Sequence, residues 1–131
     1  MKLLIFAARI MLGLLFFVFG LNHLFNNFLH LPMLGGDAGV MMTLMVVHKW
    51  FVLYGFIEAV AGLMLLLGRW VPLGLTLLAG IILNITLFSA TVALPGLKEA
   101  IFAGLLEIIL VYAYRASFAG IFAAKASPSL T

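Results

Sequence analysis

The 131-residue sequence contains no cysteine. That excludes disulfides, thiol–disulfide relays, thiolate-ligated iron–sulfur clusters and Cys-ligated zinc. Charge is nearly as scarce: Asp, Glu, Lys and Arg make up 8% of the chain, against about a quarter in ordinary soluble domains. A soluble globule is therefore excluded. The seven Lys and Arg residues are scattered and outnumber the four acids only modestly, so no basic face is offered to a nucleic acid. Proline is also rare, and Pro32, Pro72 and Pro95 fall between apolar runs rather than inside them. What is present is hydrophobic: 66% of residues, with a mean hydropathy of +1.33. The apolar residues run through nearly the whole chain, which describes an integral membrane protein rather than a soluble domain with one anchor.

A helical span needs about 20 mostly apolar residues. Four segments meet that length, at about 3–25, 50–67, 71–92 and 100–118. The expected fold is an all-α bundle of four transmembrane helices forming one domain over 1–119, with a short tail at 120–131. Lys2 followed by the apolar run Ile10–Leu21 has the look of a signal peptide, but no small-x-small cleavage site follows, so the segment is expected to be retained as a helix. Lys2, Arg69, Arg115 and Lys125 flank one end of the spans, with Arg9 nearest that end, while Lys49 and Lys98 flank the other beside Asp37 and Glu99. By the positive-inside rule both termini are cytoplasmic, as in a multi-pass protein of the cell (inner or plasma) membrane. The one long connection, from Asn26 to Lys49, lies on the outer side. Its Met-rich run Val40–Val47 is expected as a short interfacial helix at the bundle mouth.

Ionisable groups at membrane depth are costly, face the bundle interior and seek partners. Here they are Arg9 in span one, Glu58 in span two and Glu107 in span four, joined by Asn84 in span three and by Asn22 and His23 at the outer end of span one. Helical spacing groups Arg9, Gly13, Gly20 and His23 on one stripe, Gly55, Glu58, Gly62 and Arg69 on a second, Gly80, Asn84, Phe88 and Thr91 on a third, and Gly104, Glu107, Val111 and Tyr114 on a fourth. Small residues beside polar ones are the pattern of close helix packing around interior hydrogen bonds. Counting from the ends of the spans predicts two interior pairs, Arg9 with Glu58 and Asn84 with Glu107. Glu107 has no cation at its depth, which suits proton exchange with a ligand. Two readings stay open: pairs that lock the helices in register, or a polar pocket that binds something. His23 and His48 lie at similar outer depth, where they are interfacial residues, quinol partners or haem ligands; His30 is a loop residue. No metal-ligand set is visible.

The run Arg9-Ile-Met-Leu-Gly-Leu-Leu-Phe16, followed by Phe19-Gly-Leu-Asn-His23, resembles the first helix of the DoxX family of small bacterial membrane proteins. The resemblance continues through Gly55-Phe-Ile-Glu58 with Gly62, Leu65–Arg69, Pro72, Asn84-Ile85 with Phe88, Leu106-Glu107 and Ala113-Tyr-Arg115. It implies a four-helix bundle and a link to quinone-dependent oxidoreduction, at most as a subunit of such an enzyme. The absence of a soluble domain argues against a stand-alone thiosulfate-oxidising enzyme. On this reading a quinone or other lipophilic ligand meets Arg9, Asn22, His23, Glu58, Asn84 and Glu107, and the partners are membrane lipids, a redox protein of the membrane or a second copy. The alternatives are a non-enzymatic scaffold or assembly chaperone, whose Gly-lined faces pack on a partner, and a small-solute transporter.

Overall fold

The computed structural model describes residues 1–25 and 27–129. The expectations for Asn26, the first residue of the long connection, and for the last two residues of the tail lie outside the described residues. Four long helices carry the fold: α1 (Lys2–Leu24), α3 (Trp50–Leu67), α4 (Val71–Val92) and α5 (Leu97–Ala113). The shorter α2 (Gly36–Val47) lies in the α1–α3 connection, and a single turn, α6 (Arg115–Phe118), follows α5. No strand occurs among the described residues. Three helices, α1, α3 and α4, are long and apolar enough to cross a membrane. At 23 and 22 residues, α1 and α4 reach about 33–35 Å, which exceeds a hydrocarbon core of about 30 Å.

Helix ends follow the local chemistry. Gly68 ends α3 at φ +68°, a left-handed conformation that costs glycine nothing. Its N–H donates to the Leu65 carbonyl (3.2 Å) and that of Arg69 to Met64 (3.1 Å), a Schellman pair that satisfies the last carbonyls. Pro72 lies in the first turn of α4, where its missing N–H removes nothing from the ladder. The chain thus reverses in three residues, leaving α3 and α4 antiparallel neighbours.

The helices form a ring in which α1 packs on α3, α3 on α4, α4 on α5 and α5 back on α1, with α2 lying against α3 and α4 at the end remote from the termini. Leu12, Phe16, Leu65, Leu75, Leu78 and Leu110 fill its centre. The tightest contact is a seam of glycines between α1 and α3. Gly20 faces Gly55, and a Cβ on Gly55 would come within 2.7 Å of the Gly20 carbonyl oxygen. Seven residues along, Gly13 faces Gly62, and a Cβ on Gly62 would come within 2.7 Å of the Gly13 carbonyl. Apolar side chains gain little by leaving lipid, so close backbone approach of this kind is a principal source of helix association in a membrane.

Candidate ligand cleft and interior polar groups

At the end remote from the termini, α2, α3, α4 and the tip of α1 surround a half-open cleft of about 1090 Å³. Most of its wall is apolar. The polar side chains on it include His23, Tyr54, Glu58 and Asn84, with Ser89 and Thr91 further along α4. His23 Nδ1 lies 2.9 Å from Glu58 Oε2, and Glu58 is buried, with 3% of its surface exposed. With the carboxylate accepting, Nδ1 carries the proton of this bond. The imidazole is stacked on Phe51, ring centroids 4.8 Å apart, which fixes its plane. Across the cleft, Asn84 Nδ2 donates to the Tyr54 hydroxyl oxygen. Met41, Met42 and Met45 of α2 form the lid side, an adaptable, polarizable surface. His48, at the end of α2, also lines the cleft.

The cleft gathers three of the six residues singled out in the sequence, His23, Glu58 and Asn84, and leaves three elsewhere. Arg9 is not paired with Glu58. The glycine seam sets Arg9 level with the end of α3, where its guanidinium packs against Gly68, roughly eight residues or about 12 Å from Glu58. Depths counted from the helix ends missed this register, and His23 takes the carboxylate instead.

Asn84 is not paired with Glu107. The buried face of α4 is Val71, Gly74, Leu75, Leu78, Ile81, Ile82 and Ser89, so Asn84 lies to the side of it, toward Tyr54 of α3. The stripe Gly80–Asn84–Phe88–Thr91 therefore does not point into the core: Gly80 is exposed with open space beside it. Glu107 does face inward and is 6% exposed. Neither of its carboxyl oxygens has a hydrogen-bond partner among the described residues, and it does not line the cleft.

Asn22 is a clamp for the connection rather than part of the cleft mouth. It is 1% exposed; its Nδ2 donates to Asn27 Oδ1 (3.1 Å) and its Oδ1 accepts from the Leu29 N–H (2.8 Å). Asn27 in turn accepts from the Leu31 N–H at 3.1 Å. Asn22→Leu removes both side-chain bonds and strands the Leu29 amide, a loss of about 2–3 kcal/mol. Hydrogen-exchange mass spectrometry should show faster exchange over 27–31, with α3 and α4 unchanged.

Tyr54 was not singled out from the sequence. The signal for it is spacing, since Phe51, Tyr54 and Glu58 follow at steps of three and four and share one helical face.

Apolar helices of spanning length around a cleft with a few polar groups at one end define a helical membrane protein. The DoxX family model matches residues 4–93, more than half of the chain, and includes His23, Tyr54, Glu58 and Asn84. The chain belongs to the DoxX family. No curated protein and no solved structure matches it.

Proposed function

We propose that this DoxX protein is a redox-associated membrane subunit whose cleft binds a quinone or another lipophilic ligand with a polar head. The observation that carries this is the convergence of His23, Glu58, Tyr54 and Asn84 on one largely apolar cleft, the composition of a site for a largely apolar molecule oriented by a few hydrogen bonds. The His23–Glu58 bond fixes the imidazole, and the Tyr54 hydroxyl and Asn84 amide stand ready for carbonyl oxygens. Phe51, Phe88 and the α2 methionines accept the ring and tail. A bound quinone would supply electron exchange with the membrane pool; the chain's own groups bind and orient it.

In this reading the protein is multi-pass in the cell membrane with both termini cytoplasmic. The fourth span is α5, 17 residues long and about 26 Å, extended by the turn of α6. The scaffold reading finds less support, because Gly13, Gly20, Gly55 and Gly62 are used within the chain rather than offered to a partner.

The test is mass spectrometry of lipids extracted from the purified protein, with titration of a short-chain quinone. The wild type should retain quinone, and Glu58→Gln should lower its retention about tenfold, the loss of one charge-assisted hydrogen bond, with helicity unchanged. A wild-type protein that neither carries quinone nor binds it on titration would sink the proposal.

A further inference from the structure

A second site lies at the opposite end of the bundle. We propose that the end bearing the termini holds one anionic phospholipid, its phosphate bound by the guanidinium of Arg9 beside Gly68.

Arg9 lies seven residues into α1 (Lys2–Leu24), about 10 Å along the helix axis, and is half-buried. Among the described residues no carboxylate pairs with it, since the salt bridges are His23–Glu58 and Lys98–Glu99. No hydrogen-bond acceptor among the described residues takes its N–H groups either; the guanidinium also lies over the face of Phe6, 5.5 Å from the ring centroid. Arg115, at the same end, differs. It donates to the Tyr112 carbonyl at 2.8 Å and lies 4.3 Å over that residue's ring, so part of its bonding capacity is met within the chain.

The place of Arg9 is shaped by Gly68. A Cβ there would collide with Nη1 and come within 3.1 Å of Cζ. The glycine that caps α3 thereby leaves the room that the guanidinium occupies. Lys2, Arg69 and Arg115 share this end, and none of the four acids does: Asp37 and Glu99 lie at the opposite end, Glu58 and Glu107 within helices α3 and α5.

A guanidinium near this end of the bundle, with its donors unanswered among the described residues, is matched by phosphate oxygens, which it binds in bidentate fashion. The surroundings favour a lipid over free phosphate, because Leu63 and Leu67, in the last two turns of α3 on the membrane side of Gly68, are 41% and 62% exposed and offer acyl chains an apolar wall. A net negative headgroup adds attraction to the remaining cations.

The experiment is native mass spectrometry of the full chain released from detergent with equimolar phosphatidylglycerol and phosphatidylcholine. Wild type should retain phosphatidylglycerol about tenfold over phosphatidylcholine. Arg9→Gln should bring the two to parity, Arg9→Lys should fall between, and Arg115→Gln should leave the preference intact. Wild type without a preference overturns the proposal whatever the variants do. So does an equal loss in Arg115→Gln, which would mean a diffuse basic surface. Displacement of the lipid by excess inorganic phosphate would assign the site to free phosphate and overturn the lipid. If Arg9→Gln does not fold by circular dichroism, the wild-type preference and the Arg9→Lys value decide.

Discussion

Gly20→Val is expected to abolish the compact folded monomer. The atoms in the way are backbone: any Cβ on Gly20 meets the Ala59 amide and, at 2.7 Å, the Gly55 carbonyl oxygen. A flexible side chain could swing aside, but a helix backbone cannot, so α1 and α3 must separate along the seam. That separation also releases the contacts of Gly13 with Gly62 and weakens the burial of Leu12, Phe16 and Leu65 around them. Overpacking a core usually costs about 1–3 kcal/mol, and valine against two fixed helices lies at or above the top of that range. In a membrane the separated helices regain lipid contact, so little opposes the separation. Thermal unfolding in detergent, followed by circular dichroism and size-exclusion chromatography, should show a collapsed transition or loss of the monomer peak. Gly80→Ala is the control. Its Cβ meets nothing within 4 Å, and the change should stay within about 1 kcal/mol of wild type. A wild-type melting curve for Gly20→Val would refute the seam as the element that fixes α1 on α3.

The second large effect concerns the buried acid of α3. Glu58→Leu should cost about 2–4 kcal/mol, because it removes the partner of His23 at a site where replacement acceptors are scarce. The informative quantity is the coupling. A double-mutant cycle with His23→Leu should give about 1–2 kcal/mol, near the upper end for hydrogen bonds inside membrane proteins. The corresponding cycle of Glu58→Leu with Arg9→Met should be additive within about 0.5 kcal/mol. These values separate the His23–Glu58 pair from the Arg9–Glu58 pair that spacing along the sequence suggests. A coupling to Arg9 larger than that to His23 would mean that the register set by the glycines is not the register in the membrane.

The membrane class and helical character of the chain are legible in its composition, because burying so little charge and so much apolar surface admits few other structures. The glycine stripes of α1 and α3 are legible too, since steps of four, seven and three recur on one face. Which polar group meets which is not. Arg9 and Glu58 look level when counted from helix ends, yet the ends are not aligned; the glycines are. Asn84 reads as inward because it is polar in an apolar helix, but α4 presents its leucines to the core and Asn84 to the cleft. Tyr54 is inconspicuous among aromatic residues until the hydroxyl is seen facing the Asn84 amide.

The sequence by itself therefore determined a DoxX membrane protein of apolar helices, and it confined the interior chemistry to a handful of residues. That follows from transfer free energy, which is a property of each residue and its neighbours along the chain. Only the tertiary structure decided the partners. His23 joined Glu58, Asn22 was committed to the 27–31 connection, and Arg9 was left against Gly68 at the other end. The physical reason is that partners depend on the axial register and rotation of one helix against another. Those are set by backbone contact at Gly13, Gly20, Gly55 and Gly62, between segments far apart in the chain.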